Sequence, residues 1–247
     1  MKKLIAIFAV LLFAAPAMAA DWAFYGSQRI ATWYTDRDYG DATVNGQDDD
    51  QATQWYFQGN SRLGAKVKAD KVSGQIEFGL GKGGDGGDTN VVSRRAYGVW
   101  KFTDNAWLKV GKDNATVTDV ISNQMYDADG NLYGEGNFYG RRPAGLTLGI
   151  GEFELAFLTP SYGADVGTTA TGVNGATGGD PDSYIPRLEA AYKLRRGAGY
   201  IKPFAGFQYY TVEETGIGNV TGDLDVWSWV LGTTTSWNIS AFTISGQ

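Results

Sequence analysis

The sequence predicts an all-β protein, built as an antiparallel up-and-down sheet, and three observations lead to this prediction. The first is composition, because 35 Gly and 14 Tyr, 12 Phe and 8 Trp against six Pro are typical of many short strands separated by turns. The second is an alternation of apolar and polar residues with period two. The third is the length of the connectors, which alternates between long and short from one end of the chain to the other. Loops that are long on one side and short on the other are typical of a transmembrane β-barrel.

The chain begins with the features of a secretory signal peptide. Two lysines precede an apolar run over residues 4–15, and residues 17–19 have the A-x-A form of a cleavage site. We therefore expect a signal peptide at residues 1–19 and a barrel domain at residues 20–247 of an exported protein. The apolar run is too short for a membrane anchor, and no later run approaches 18 apolar residues, which argues against helical spans.

Successive strands repeat the same alternation in chain order. In the segment 72–82, for example, Ile76 and Phe78 fall on one face while Gln75 and Glu77 fall on the other. One face of each strand therefore meets lipid or a core, and the other meets water. This alternation fits a sandwich as well as a wide barrel, and the connector lengths favour the barrel. We expect about 11 strands, at residues 22–35, 54–69, 72–82, 91–102, 106–113, 137–150, 153–160, 184–196, 200–212, 224–235 and 239–246.

The connectors between these strands form two sets. The short ones are turns of two or three residues, at 70–71, 103–105, 151–152, 197–199 and 236–238. The long ones are rich in Gly, Asp and Asn, at 36–53, 82–90, 114–136, 161–183 and 213–223. Aromatic residues gather near the strand ends, as in the aromatic girdles of membrane barrels, although an ordinary sandwich core is the alternative.

Charge and missing residue types exclude several classes of function. Without the two lysines of the signal peptide, 19 basic residues oppose 27 acidic ones, so the net charge is −8. Nucleic acid is a poor partner for such a chain, because affinity for phosphate rests on Lys and Arg. The chain has no Cys and no His, which removes Ser-His-Asp and Cys-His catalysis, His-ligated zinc and thiolate metal sites. We expect no cofactor, no metal and no enzymatic activity; a glycosidase-like pair of carboxylates is the enzyme alternative.

Five short motifs resemble the general, trimeric porins of bacteria. They are Phe24-Tyr25-Gly26, Ser61-Arg62-Leu63-Gly64-x-Lys66, Arg95-Ala96-Tyr97-Gly98-Val99-Trp100, Leu108-Lys109-Val110-Gly111-Lys112 and Phe138-Tyr139-Gly140-Arg141-Arg142. They occur in the order of that family and cover most of residues 22–160. Water-filled porins use about 16–18 strands, and about 11 are predicted here. We therefore expect the N-terminal two thirds of a 16-stranded porin, truncated at its C-terminus, whose sheet stays open with unpaired edges.

The resemblance also implies a site. In porins of this type the third long loop folds into the barrel, and its acidic residues face a cluster of basic side chains on the opposite wall. By resemblance, the basic wall maps onto Arg62, Lys112 and Arg141, with Lys66 or Arg95 nearby. Lys112 stands where the family usually has Arg, and the loop lacks the family's Pro-Glu-Phe-Gly-Gly signature. The acids of the loop at 114–136 are Asp119, Asp127, Asp129 and Glu135.

The resemblance thus implies an outer-membrane porin, which forms a water-filled channel for passive diffusion of small hydrophilic solutes and ions. Its partners would be the lipid and lipopolysaccharide of a Gram-negative outer membrane and two further copies in a homotrimer. A non-conducting structural or adhesive barrel is the alternative, and an outer-membrane enzyme is a further one. Charges of both signs at inward strand positions favour a water-filled lumen, at Arg62, Lys66, Glu77, Lys101, Lys109, Glu154, Arg187, Glu189 and Lys202.

Overall fold

The computed structural model describes residues 20–37, 50–57, 61–80, 91–119, 125–126, 130–131, 141–161, 181–212 and 223–246. Within these ranges all regular structure is β-strand, as the sequence predicts. A search of the same residues finds no helix that is long and apolar enough to cross a membrane. The predicted signal peptide at residues 1–19 lies outside the described residues.

Seventeen strands are formed in the described part of the chain. They are β1 (Asp21–Ser27), β2 (Ile30–Arg37), β3 (Asp50–Phe57), β4 (Arg62–Ala69), β5 (Val72–Leu80), β6 (Val91–Lys101), β7 (Ala106–Lys112), β8 (Met125–Tyr126), β9 (Gly130–Asn131), β10 (Ala144–Ile150), β11 (Phe153–Leu158), β12 (Pro181–Asp182), β13 (Arg187–Tyr192), β14 (Leu194–Arg196), β15 (Gly199–Val212), β16 (Leu224–Ile239) and β17 (Phe242–Gly246).

The chain divides into two compact units. The first comprises Met1–Ala96 and Ser122–Gly134. Its main sheet has the order β1-β4-β5-β6, in which β1, β4 and β5 pair antiparallel and the first half of β6 follows. Strands β2 and β3 form a separate hairpin, and the short strands β8 and β9 form another.

The second unit comprises Tyr97–Ile121 and Glu135–Gln247. It begins with the second half of β6 and continues in the order β7-β10-β11-β13-β15-β16-β17. Strands β12 and β14 also pair with β15, one at each end of that long strand. Each main strand pairs antiparallel with the next main strand along the chain, so the predicted up-and-down topology is confirmed.

The sheet has two free edges. Among the residues that the structure describes, β1 pairs only with β4, and β17 pairs only with β16. The sheet therefore does not close, and the prediction of an open sheet is confirmed for this part of the chain.

Two of the predicted strands, 22–35 and 54–69, are each divided in two. The first is interrupted after Ser27, because Arg29 is bonded to a side chain rather than to a neighbouring strand. The fully buried Ser61 accepts from the Arg29 N–H at 3.0 Å and donates to the Arg29 carbonyl at 3.3 Å. The continuous strands were therefore wrong, and their outer halves form the β2–β3 hairpin.

Two further predictions of local structure were also wrong. The turn predicted at 236–238 lies instead at Ser240 and Ala241, where Ser240 takes a φ of 56°. Trp237 stays in β16 because it pairs with Gly199 on one side and with Ile244 on the other. The strand predicted at 184–196 is broken at Lys193, whose N–H donates to the Glu152 carbonyl at 3.0 Å.

Candidate pore-lining site

The second unit buries its polar face and exposes its apolar face. The strand registers place Lys109, Thr147, Ala156, Glu189 and Gly206 in one row across five strands. On this face Thr147 and Glu189 are 4% and 3% exposed. The opposite face carries large apolar side chains that are 39–74% exposed, at Leu146, Phe157, Phe207, Trp229 and Leu231. Soluble proteins seldom expose apolar residues so densely beside buried charges, whereas a sheet between lipid and water does so.

The first unit follows the same rule. Its registers align Tyr25, Gly64 and Glu77 across three strands. Glu77 is 2% exposed, whereas Phe24 and Leu63 on the opposite face are 81% and 58% exposed. Both units therefore bury charged residues on one face of the sheet and expose large apolar residues on the other, a pattern that we call inverted burial.

Glu77 is the centre of a basic cluster in the first unit. Three arginines approach its carboxylate: Arg94 Nε lies 3.0 Å from Oε1, Arg95 Nε 4.0 Å from Oε1, and Arg62 Nη1 3.9 Å from Oε2. The carboxylate also accepts from the Tyr25 hydroxyl at 2.9 Å. The Glu77 carboxylate is therefore shared by three guanidinium groups and one tyrosine hydroxyl.

The tyrosine is positioned by the glycine beneath it. A Cβ on Gly64 would lie 2.5 Å from Tyr25 Cζ and 2.7 Å from the Ile76 carbonyl oxygen, so only glycine leaves room for the ring. Gln75 donates to the tyrosine hydroxyl at 2.6 Å, and Lys66 Nζ lies 5.4 Å from the centre of the ring. The ring therefore contacts Gln75 and Lys66, which pair with each other across β4 and β5 beside Glu77.

In the second unit, residues 113–119 lie across the polar face, and we call them the inner segment. Val117 is fully buried and belongs to a small apolar cluster with Ala115, Leu158, Ala191 and Phe204. The segment turns within four residues, because Thr118 N–H donates to the Ala115 carbonyl at 3.0 Å. The start of the predicted third long loop is therefore packed on the polar face of the sheet.

Polar contacts hold the inner segment at its start, middle and end. Lys109 Nζ lies 2.7 Å from Asp113 Oδ2, and Lys202 Nζ lies 3.0 Å from Asp119 Oδ2. Between them, Val117 N–H donates to Glu189 Oε2 at 3.1 Å. The other oxygen of Glu189 lies 3.0 Å from Arg187 Nε, so both oxygens of this buried carboxylate have partners.

A cavity of about 240 Å³ opens on the polar face of the same unit. Arg187 and Glu189 of β13, Gln208 of β15 and Ser228 of β16 line it, together with Arg141. Gln208 is locked in place, because its amide group donates to and accepts from the backbone of Ser161 at 2.9 and 3.1 Å.

The predicted basic wall is divided between the units. Arg62, Lys66 and Arg95 lie in the first unit, where Arg62 and Arg95 approach Glu77 and Lys66 lies over Tyr25. Arg141 and Lys112 lie in the second unit. Lys112 ends β7 opposite Ala144, directly after Gly111, whose φ is 127°.

Of the predicted loop acids, the structure describes one. Asp119 lies at the end of the inner segment and pairs with Lys202. Asp127, Asp129 and Glu135 lie outside the described residues. Within the described ranges no group of three or more Asp or Glu side chains could hold a metal ion.

Several residues of the site were absent from the predicted constriction. Glu77, Glu189 and Lys202 were predicted only as inward-facing charges, a pattern that alternation reveals. Tyr25 and Arg94 carried no such signal. Their roles depend on which strands are neighbours and in which register, and a single strand does not contain that information.

Comparison with known proteins supports the fold. No protein-family model and no curated protein matches the sequence. Among solved structures, the chain is similar to the outer membrane channel DcaP of Acinetobacter baumannii, with a TM-score of 0.59 and 17% identity over 91% of this chain. It is also similar to a loop L8 deletion mutant of OmpT, an outer membrane protein of Vibrio cholerae, with a TM-score of 0.46 and 18% identity over 92% of this chain and 68% of that chain.

The chain spans 61% of the length of the DcaP chain. At this level of identity the likeness shows the fold alone. Together with the antiparallel up-and-down order of the strands, it confirms the predicted fold class, the all-β fold of an outer-membrane barrel.

Proposed function

We propose that the protein is an outer-membrane porin, a water-filled channel through which small hydrophilic solutes and ions diffuse passively. The observation that carries this proposal is the inverted burial of both units. Large apolar side chains face outward, while charges of both signs gather on the opposite face. Ion pairs that are fully removed from water carry a large desolvation penalty. A water-filled lumen beside them reduces that penalty.

The surroundings of the channel are part of the proposal. The predicted signal peptide would send the chain to the outer membrane of a Gram-negative bacterium, where lipid and lipopolysaccharide contact its apolar face. The resemblance to general porins supports a homotrimer. Neither a cofactor nor an energy source is needed, because solutes move down their own gradients.

The inner segment supports a constriction in this channel. It brings Asp119 onto the polar face against Lys202, and it is the first part of the acid-rich loop at 114–136. Opposed charges across a narrow water channel select ions by sign and orient dipolar solutes. We therefore propose that the loop acids and the basic wall form the narrowest point.

Recordings from planar lipid bilayers test the proposal. The full protein should produce stepwise ion currents and should let small sugars into liposomes. A protein that inserts into the bilayer and passes neither ions nor sugars would be a structural or adhesive barrel instead. Turnover of a substrate by such a sealed barrel would favour the enzyme alternative.

The reversal potential in a salt gradient tests the constriction. Replacing Arg62, Lys112 and Arg141 together by neutral residues should shift selectivity toward cations, because positive charge leaves the wall. Replacing Asp127, Asp129 and Glu135 by their amides should shift it toward anions. Unchanged selectivity in both conducting variants would place the constriction elsewhere.

A further inference from the structure

The cavity of the second unit is lined by both charged and polar residues. Two arginines, Arg141 and Arg187, and one acidic residue, Glu189, are among the residues that line it. Arg187 is paired with Glu189 at 3.0 Å, and the second oxygen of Glu189 accepts from Val117. Among the described residues that line the cavity, one positive charge is therefore in excess, and Arg141 carries it. Within the described part of the chain, no carboxylate forms an ion pair with Arg141.

Arg141 is held in an unusual backbone conformation. Its φ is 60°, in the left-handed region that residues other than glycine seldom occupy. The inner segment maintains this conformation, because Ala115 N–H donates to the Arg141 carbonyl at 3.1 Å. Local strain of this kind gathers at functional sites, where the surrounding structure enforces it.

The neutral wall of the cavity is rigid and offers hydrogen bonds. Gln208 is bonded twice to Ser161, and the Ser228 hydroxyl stands beside it, since these two residues pair across β15 and β16. Gly206 leaves space in the lining of the cavity, because a Cβ at this position would lie 3.0 Å from Val230 Cγ1 and 3.5 Å from Glu189 Cγ. A pre-formed pocket with few placed polar groups is the usual form of a small-molecule site.

We propose that this cavity is a solute-binding subsite of the channel, specific for a small monocarboxylate. The guanidinium of Arg141 would pair with the carboxylate, as planar guanidinium groups do, and the Ser228 hydroxyl would bond a neighbouring polar group of the solute. A single excess charge matches a monoanion, whereas a phosphate dianion would bring uncompensated negative charge beside Glu189. The volume of about 240 Å³ suits a solute of a few carbon atoms.

This inference rests on the proposed function for its role in transport, but binding is measured without conduction. Saturation-transfer NMR on the detergent-solubilised full protein would use lactate as the probe. Propane-1,2-diol, which has the same carbon skeleton without the charge, and inorganic phosphate serve as competitors. We expect saturable binding of lactate that neither competitor displaces at equal concentration.

Two variants and one control locate the site. Arg141→Gln removes the excess charge, and Ser228→Phe fills the cavity; each should weaken lactate binding at least tenfold. The control is Thr233→Phe, which places the same ring on the opposite, exposed face of β16 and should leave the affinity within twofold. Circular dichroism shows whether each variant is folded, and Arg141→Gln decides alone if Ser228→Phe does not fold.

Each other outcome overturns the inference. A folded variant that binds lactate with wild-type affinity would show that lactate binds elsewhere. Displacement of lactate by the diol would show that the charge plays no role in binding. Displacement by phosphate would indicate a general anion site. A conducting protein that does not bind lactate would refute the subsite and leave the porin proposal intact. Specific binding of lactate to a protein that does not conduct would support the binding site and refute the porin proposal.

Discussion

Replacing Glu189 by Gln tests how firmly the inner segment is held on the sheet. The side chain of Glu189 is 2% exposed, and it contacts Arg187 Nε through one oxygen and Val117 N–H through the other. The amide of Gln keeps an acceptor for Val117 but removes the negative charge. Arg187, whose side chain is 8% exposed, then loses the carboxylate that lies 3.0 Å from its Nε in a buried position.

The expected loss of stability follows from this burial. Removing one partner of a buried ion pair costs about 3–5 kcal/mol, because the remaining charge is not compensated. A matched control exists in the same unit, where Arg195 Nε lies 2.9 Å from Glu152 Oε1 with side chains 61% and 44% exposed. Exposed pairs contribute about 0–1 kcal/mol. We expect Glu189→Gln to lower the free energy of unfolding by at least about 3 kcal/mol and Glu152→Gln by less than about 1 kcal/mol.

Urea titration of the refolded protein in lipid, followed by tryptophan fluorescence, measures both free energies. Single-channel recordings of Glu189→Gln should also show more open-channel noise, because the inner segment has lost a charged anchor. Equal losses of stability in the two variants would refute the reasoning. In that case water would solvate Glu189 as well as it solvates Glu152, and the inner segment would not bury the carboxylate.

Two further predictions concern the faces of the sheet. Leu231→Arg, at a side chain that is 74% exposed, should cost about 2–4 kcal/mol if that face meets lipid, whereas Ser228→Arg on the polar face of the same strand should cost less than about 1 kcal/mol. Equal unfolding free energies in lipid would mean that the apolar face is not in the membrane. Gly64→Ala should cost about 1–3 kcal/mol, because its Cβ would meet the Tyr25 ring at 2.5 Å and backbone at 2.7 Å. Gly26→Ala in the neighbouring strand, whose nearest atoms are 3.5 Å away, is the control and should stay within about 1 kcal/mol, so equal losses would refute the packing argument.

Period-two alternation was sufficient to predict the faces of the sheet. It placed Glu77, Glu189 and Lys202 on the polar side, and the registers confirm these positions. The reason is geometric, because successive side chains of a strand point to opposite faces whatever the neighbouring strands are.

The interruptions of the strands could not be predicted in the same way. Arg29 leaves the ladder because Ser61, 32 positions later, bonds both of its backbone groups. The turn at Ser240 lies beyond the predicted one because β16 has partners on both sides at Trp237. Both effects come from residues distant in sequence, which local propensity does not report.

The same limit applies to the candidate site. The resemblance to porins implied that the acids of the loop at 114–136 face the lumen, but not how the loop is held. The signal for that lies in two apolar residues, Ala115 and Val117, within the otherwise polar inner segment at 113–119. Apolar residues at alternate positions indicate that the start of this loop packs against protein instead of facing solvent. Both residues are in fact buried on the sheet.

The packing of these two residues links the fold to the proposed channel. By burying Val117 against the apolar cluster, the sheet positions the Val117 N–H at Glu189 and carries Asp119 toward Lys202. The same segment holds the Arg141 carbonyl through Ala115, and so it also fixes the backbone of a residue that lines the cavity. A change at Glu189 should therefore reach the constriction and the cavity together. Glu189→Gln should weaken lactate binding as well as disturb conduction, whereas Glu152→Gln should change neither. An effect of Glu189→Gln on only one of the two would show that the inner segment does not couple them.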